Sequence, residues 1–142
     1  MCLRVAYATL LLVLGIIIVR AQEQARRSTR DGVYTDSQAA RGQASFKKAC
    51  ASWHGAALDG SGGDTPALTG EDFAAKWSGQ TVDDLFEEIQ ASMPQDRPGK
   101  LARTETADIV AYILQFNKLP TGSHDLPTVA GDLKQIRFEM AK

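Results

Sequence analysis

The stretch Cys50-Ala51-Ser52-Trp53-His54-Gly55 decides how this chain is interpreted, because it places a thiol and an imidazole four residues apart. At the end of a helix, side chains at that separation lie on the same face. A thiolate and an imidazole on one face are suited either to sharing a metal ion or to acting as a nucleophile and its base. Two residues alone support neither the metal site nor the catalytic pair. Structural zinc normally takes four ligands, and a catalytic histidine usually comes from elsewhere in the fold.

The first 21 residues have the pattern of a secretory signal peptide. Arg4 precedes an uncharged apolar run over residues 5–19, and Val19-Arg20-Ala21 places small residues at the usual cleavage spacing. A helix of about 15 residues spans about 22 Å, which is short of the roughly 30 Å hydrocarbon core of a membrane. We therefore expect a cleaved leader and a periplasmic or otherwise exported protein, with an uncleaved anchor as the alternative. Cys50 is then the only cysteine of the mature chain, so no internal disulfide is expected.

The composition of the 142-residue chain fits one globular domain. Hydrophobic residues make up 44% of the sequence, and the net charge of -1 argues against a nucleic-acid-binding surface. Residues 22–33 are polar and lack periodicity, which predicts a tether. Residues 34–120 carry periodic apolar patterns and form the predicted globular domain. Residues 121–142 are predicted to be a polar tail that ends in a short amphipathic turn.

Hydrophobic spacing predicts an all-α fold with three main helices. The first begins at Thr35, which forms a capping-box pattern with Gln38, and one face carries Ala39, Gly42, Phe46 and Ala49. A glycine inside a helix costs roughly 1 kcal/mol relative to alanine, and a close helix crossing at Gly42 would explain its presence.

The other two main helices follow a Gly-rich loop over residues 56–70 and one short helical turn over residues 73–77. Thr81 caps the second main helix, which Pro94 stops, and its apolar stripe consists of Val82, Leu85, Phe86 and Ile89. The third runs from about Thr104 to Pro120, and its predicted buried face consists of Ile109, Tyr112, Ile113 and Phe116. The acidic residues between 83 and 88 read as a solvated helix face.

With these surroundings, Cys-x-x-Trp-His resembles Cys-x-x-Cys-His, the haem-attachment motif of class I c-type cytochromes, with Trp53 at the position of the second cysteine. Gly42 and Phe46 match the first helix of that family, where they cross an aromatic residue of the last helix, here Tyr112. The segment around Pro66 looks like the loop whose carbonyl holds the proximal histidine. The sequence from Trp77 to Met93-Pro94 looks like the approach to the distal methionine. The resemblance covers residues 34–120.

The resemblance implies a cytochrome c-like bundle of three main helices and short turns around one haem c. It implies that His54 and Met93 bind the iron, that the Pro66 carbonyl accepts a hydrogen bond from His54, and that Trp77 packs on the haem near a propionate. Because tryptophan forms no thioether, it implies attachment through Cys50 alone. Two alternatives stay open at this point: the haem is held by ligation and packing only, or no haem is loaded.

The function that the resemblance implies is periplasmic electron transport. Two filled axial positions leave the iron no place for a substrate, which favours electron transfer over catalysis. The expected partners are a dehydrogenase or reductase as donor and a terminal oxidase or other acceptor. No nucleic acid is expected, and the membrane enters only through an uncleaved anchor. The alternatives are a peroxidase-like enzyme with a labile distal ligand and a haem-free helical binding module.

Four further side chains have simpler interpretations. His124 lies among glycine, serine and aspartate and reads as a solvated loop histidine, with distal ligation as its alternative. Met140 is expected to be a packing residue. Arg97 and Lys100 flank the distal loop and are expected to be surface charges.

Overall fold

The structure is a computed structural model that describes residues 27–62 and 64–140. The signal peptide predicted for residues 1–21 and the first five residues of the predicted tether lie outside the described residues. The described chain contains six α-helices: α1 (Asp36–Ala49), α2 (Ala51–His54), α3 (Gly70–Trp77), α4 (Val82–Ser92), α5 (Arg103–Phe116) and α6 (Ala130–Leu133). Two short strands, β1 (Arg27–Ser28) and β2 (Ile136–Arg137), and a 3-10 turn over Thr29–Asp31 complete it. The prediction of an all-α fold is confirmed, since each strand has only two residues.

Helix α1 begins where the sequence predicts, but its cap differs from the predicted capping box. The Thr35 hydroxyl accepts a hydrogen bond from the Gln38 backbone N–H at 3.1 Å. The Gln38 side chain does not return this bond to the cap. Instead it donates to the Leu126 carbonyl at 3.2 Å and accepts from the Leu126 N–H at 2.6 Å. Gln38 therefore connects the segment around Leu126 to α1, and these two hydrogen bonds satisfy both polar groups of the glutamine side chain.

Helices α1 and α5 cross closely at Gly42, as the sequence predicts. A β-carbon at Gly42 would overlap the backbone carbonyl of Asp108 on α5. One turn along, the rings of Phe46 and Tyr112 pack with their centroids 5.4 Å apart and their planes tilted by 54°. Arg41 donates two hydrogen bonds of 3.0 Å to the carboxylate of Asp108 at the edge of the crossing. This pair of helices is the frame on which the rest of the domain is built.

Helix α3 is longer than the single turn predicted for residues 73–77. It starts at Gly70 and runs for eight residues, with Thr69 as an extended N-cap residue and with Glu71 and Asp72 in its first turn. Acidic side chains in a first turn are favoured by the helix dipole. The sequence did not predict this start, because the first residue of the helix is a glycine and glycine is typical of loops.

Helix α4 has the predicted cap and the predicted apolar stripe. Thr81 and Asp84 form a complete capping box, and all four predicted stripe residues are buried. The acidic face is not fully solvated, however: Asp83 is 5% exposed because the C-terminal segment covers it. The expectation of a solvated face is therefore wrong for Asp83.

Helix α5 ends at Phe116, four residues before the proline that was expected to end it. Lys118 has a φ of +64°, so the chain has already turned out of the helix there. Phe116 is only half-buried, whereas Val110 and Leu114 are fully buried in addition to the predicted residues. The buried face is broader than predicted because α5 packs against both α1 and α4.

The segments expected to be a tether and a tail pair with each other where the structure describes them. β1 and β2 are parallel neighbours, with Arg27 opposite Ile136 and Ser28 opposite Arg137. The Thr29 hydroxyl donates to the Glu139 carbonyl at 2.6 Å. Four apolar side chains of the predicted tail are at most 2% exposed: Leu126, Leu133, Ile136 and Phe138. Leu133 and Ile136 belong to the predicted amphipathic turn through Met140, although the structure places Ile136 in β2. Leu126 and Phe138 lie outside that pattern, and only tertiary contact reveals that they belong to the core.

None of the helices in residues 27–62 and 64–140 combines the length and the apolar character that a membrane span requires.

Candidate cofactor site

The structure brings the six predicted site residues together around one apolar cavity of about 280 Å³. Trp53 and His54 lie in α2, Trp77 lies in α3, Cys50 and Met93 directly follow α1 and α4, and Pro66 lies in a loop. A concave, mainly apolar site with a few polar groups is the usual form of a cofactor pocket. The cavity is therefore the candidate functional site, and the roles of the six residues as ligands stay predictions.

Most of the remaining cavity wall consists of apolar side chains to which the sequence analysis assigned no contact with a ligand. They are Phe46, Leu68, Phe73, Leu85, Ile89, Ile109 and Ile113. Three charged side chains, Asp72, Lys76 and Glu88, also line it. Helix periodicity identifies a buried face, but it does not distinguish a residue that packs on protein from one that packs on a ligand.

His54 is held in one orientation by a single hydrogen bond. Its Nδ1 lies 2.9 Å from the carbonyl oxygen of Pro66, and the residue is 6% exposed. Since a carbonyl only accepts, Nδ1 must carry the proton of this bond. In the neutral imidazole, Nε2 then keeps an unprotonated lone pair. This arrangement, with one ring nitrogen bound to a carbonyl, is the one that metal-binding histidines use.

The turn that carries His54 is fastened by the loop that follows it. The Cys50 carbonyl accepts hydrogen bonds from the N–H groups of Trp53 and His54 at 3.0 and 2.9 Å. The Thr65 hydroxyl donates to the Trp53 carbonyl, and Gly62 packs directly against the same carbonyl, with no room for a β-carbon. The sequence showed a Gly-rich loop here, and the need for Gly62 becomes visible only from this close approach.

Asn117 fastens the far end of the same loop and was missed by the sequence reasoning. Its amide donates to the Leu68 carbonyl at 2.9 Å and to the Ile113 carbonyl at 2.8 Å. The Leu68 N–H in turn donates to the Leu58 carbonyl at 2.7 Å. An asparagine after a helix usually indicates only a helix end, so no signal in the sequence identified this contact.

Cys50 presents a neutral thiol to the cavity. It is 7% exposed, and it is the one free cysteine of the described residues. Burial raises the pKa of this thiol to about 11, and the negative charge of Glu105 adds to the rise. The thiol therefore stays protonated at neutral pH.

Trp53 lines the edge of the cavity rather than filling its interior. Its side chain is 40% exposed, which makes it one of two large hydrophobic residues exposed in the described part of the chain. An indole turned inward would compete with a cofactor for the volume of the cavity. The outward position removes that conflict.

Met93 and Trp77 complete the cavity on the side of α4 and α3. Met93 is the C-cap residue of α4, is half-buried, and donates its N–H to the Ile89 carbonyl at 3.0 Å. Trp77 is 6% exposed, and its ring lies 6.3 Å from that of Phe73. The Lys76 ammonium lies 4.8 Å from the centre of the Trp77 ring.

The alternative ligands and the flanking charges lie outside this cavity. His124 is exposed and shares a 2.9 Å hydrogen bond with the Ser123 hydroxyl. Met140 packs against the core elsewhere. Arg97 pairs with the neighbouring Asp96 at 3.5 Å, and Lys100 is exposed. None of these side chains lines the cavity.

A family model described as "Cytochrome C oxidase, cbb3-type, subunit III" matches residues 37–113 of the chain. The match covers more than half of the sequence and includes every residue that lines the cavity. The chain belongs to this family of c-type cytochromes. Comparisons with curated proteins and with solved structures give no match. Membership in the family implies haem c as the cofactor of this cytochrome and electron transfer as its role.

The residues of the cytochrome fit such a cofactor chemically. The donor set around the cavity consists of an imidazole with a free Nε2 lone pair, a thioether sulfur and one thiol. Imidazole and thioether are the two side chains that hold haem iron in cytochromes c, and an apolar wall suits the macrocycle. Within the described residues, no cluster of His, Cys, Asp and Glu offers another metal site.

Proposed function

We propose that this cytochrome is an exported electron carrier that uses one haem c, with His54 and Met93 as the axial ligands of the iron. The observation that carries the proposal is the 2.9 Å contact between His54 Nδ1 and the Pro66 carbonyl, inside an apolar cavity that Met93 also lines. When bound, the haem supplies an iron atom that changes between the ferrous and ferric states.

Each proposed ligand has a defined part in setting the site. The Pro66 carbonyl fixes the His54 tautomer and increases the basicity of the ring toward a metal. Met93 contributes a soft thioether, which favours ferrous iron and raises the reduction potential relative to harder ligands. Its place at the end of α4, where its backbone is bonded to Ile89, limits the region that its sulfur reaches.

Trp77 is proposed to pack on the haem and to direct its indole N–H toward a propionate. Its burial against Phe73 supports a packing role. Lys76 stands beside it with its ammonium over the indole ring, a placement that brings one positive charge to the cavity wall. A cation next to the cavity favours the negative charge of a propionate.

Cys50 is proposed to form the only thioether. The thiol would add across a vinyl double bond of the haem: sulfur would bond to one carbon, the proton would go to the other carbon, and nothing would leave. The cavity contains a single thiol, and Trp53 has no group that undergoes this addition. One vinyl group is therefore expected to stay unsaturated, and ligation and packing are expected to carry more of the binding than in a doubly attached haem.

The proposed location and partners follow from the leader and from the family. The apolar run over residues 5–19 supports export to the periplasm. The family description names an oxidase, which supports a terminal oxidase as electron acceptor, with a dehydrogenase or reductase as donor. Electron-transfer contacts are usually small and transient, so a short-lived complex is expected. The net charge of -1 gives no support to nucleic-acid binding.

Met93→Ala is expected to change this cytochrome from a closed site to one that binds an external ligand. With both axial positions filled, the reduced wild-type protein should resist carbon monoxide, whereas the variant should bind it stoichiometrically and lose the methionine-to-iron charge-transfer band. Difference absorption spectra of the reduced proteins with and without carbon monoxide measure the binding, and spectra of the oxidised proteins measure the charge-transfer band. Met140→Ala is the matched control, because Met140 lies outside the cavity, and it should behave like the wild type. Stoichiometric carbon monoxide binding by the wild type would instead favour the peroxidase-like alternative.

A further inference from the structure

A buried carboxylate on the side of α4 away from the cavity has no role in haem binding. Asp83 is 5% exposed and does not line the cavity. Its Oδ1 is the only buried side-chain oxygen or nitrogen of the described residues without a hydrogen-bond partner. Burying a charged oxygen without a partner is costly, so such a group calls for an explanation.

Within the described residues, the ion-pair partner of Asp83 belongs to the C-terminal segment, residues 130–138. The Lys134 ammonium lies 3.8 Å from Asp83 Oδ2, which is an ion pair but longer than a hydrogen bond. Arg103 on α5 is engaged elsewhere, since its guanidinium donates to Glu87 at 2.9 Å and lies over the ring of Phe86. On α4 itself, Asp84 and Glu87 add negative charge near Asp83. The carboxylate is therefore poorly compensated.

These surroundings determine the direction in which the pKa of Asp83 is shifted. Burial raises the pKa of Asp83, and the negative charges of Glu87 and Asp84 act in the same direction. The positive charges of Lys134 and Arg103 lower the pKa of Asp83, but the pKa still lies above the ordinary value of an aspartate. A carboxyl group whose pKa is raised by burial binds its proton more tightly when it is covered. Covering Asp83 is therefore favoured as the pH falls, and this contribution is lost as the pH rises through the raised pKa.

We propose that the burial of Asp83 beneath residues 130–138 is a pH-sensitive latch, which holds this segment against α4 more tightly at acidic than at neutral pH, while Lys134 partly offsets the dependence. Other contacts hold the segment as well: Leu133, Ile136 and Phe138 are buried, β2 pairs with the two residues of β1, and the Phe138 N–H donates to the Gln80 carbonyl at 2.8 Å. The segment also backs the cavity, because the rings of Phe138 and Phe73 pack edge to face at 5.8 Å and Phe73 lines the cavity. The latch thus acts on the wall of the site from outside, and it does not depend on the proposed haem ligation.

Hydrogen exchange of the full chain, followed by mass spectrometry at pH 4.5 and pH 7.5, tests the latch. Protection of residues 130–138, corrected for intrinsic exchange and divided by that of α5, should be at least about threefold higher at the acidic pH. Asp83→Asn should abolish this dependence. Asp132→Asn is the matched control, because its carboxylate lies exposed in the same segment, and it should retain the wild-type dependence.

A second variant keeps the test decisive if Asp83→Asn fails to fold. Lys134→Met removes the compensating charge and leaves Asp83 in place, so the pH dependence should become larger than in the wild type. Equal protection at both pH values in the wild type, or an undiminished dependence in Asp83→Asn, overturns the latch. Loss of haem binding in any variant does not bear on it, since exchange is measured on the polypeptide.

Discussion

His54→Gly is expected to reduce the haem content of the purified protein by more than about tenfold. The substitution removes the only histidine that lines the cavity and with it the proposed proximal ligand. It also removes the hydrogen bond that His54 donates to the Pro66 carbonyl, but Pro66 is exposed, so water replaces the lost donor. Haem per polypeptide, measured by absorbance after expression with a c-type maturation system, gives the result.

Two controls separate ligation by His54 from a structural role. His124→Gly removes the other histidine of the chain, which is exposed, and should leave the haem content unchanged. Added imidazole should restore haem binding to His54→Gly, because a free imidazole replaces the lost ring but repairs no backbone defect. A His54→Gly protein that loads haem fully without imidazole is incompatible with the proposed ligand.

Gly42→Ala is expected to destabilise the domain by about 2–4 kcal/mol, the largest effect anticipated for a substitution outside the site. Helix propensity alone would make alanine better than glycine by roughly 1 kcal/mol. The added methyl group, however, would overlap the Asp108 carbonyl, so α1 and α5 would have to separate. That separation would also disturb the packing of Phe46 on Tyr112. Urea unfolding of wild-type and variant proteins measures the difference.

Gly131→Ala is the matched control for the helix crossing. It makes the same chemical change in α6, where a β-carbon would meet no atom within 4 Å. Its free energy of unfolding should equal that of the wild type or exceed it by up to about 1 kcal/mol, the gain expected from helix propensity. Similar unfolding free energies for Gly42→Ala and Gly131→Ala would show that the crossing does not require glycine at position 42.

The three main helices were predictable because their signals are local. Thr35 and Thr81 are caps that act within one turn, and the apolar stripe of α4 repeats at helical spacing. The Gly42 crossing was also predictable, since an interior glycine has a cost that only a close contact explains. The prediction of a capping box at Gln38 was wrong because of a distant contact: the Gln38 side chain binds Leu126, 88 residues away.

The contacts between the first and last described segments were also unpredictable from local sequence. Nothing near Arg27 in the sequence indicates that it pairs with Ile136. Asp83 sits in an acidic run that is typical of a solvated face, and only the segment that carries Lys134 buries it. Such contacts depend on the tertiary fold, which overrides local preference.

The residues of the candidate site were predictable from the sequence, but the residues that hold its loop in place were not. The motif ending in His54 and the resemblance around it pointed to Pro66, and the structure contains that hydrogen bond. Asn117 and Gly62, which hold the loop in place, carry no signal in the sequence, because their partners are backbone carbonyls. Backbone partners are independent of side-chain identity, so sequence patterns do not reveal them.

The central claim is that one haem is bound and that Cys50 alone attaches it. The measurement that tests it most directly is the reduced pyridine haemochrome spectrum of the full chain after extraction with acidified acetone. We predict that haem stays with the polypeptide and that the α band lies between the positions for two intact and two saturated vinyl groups. Haem released entirely into the extract, with the α band of two intact vinyl groups, or protein without a Soret band would contradict the claim.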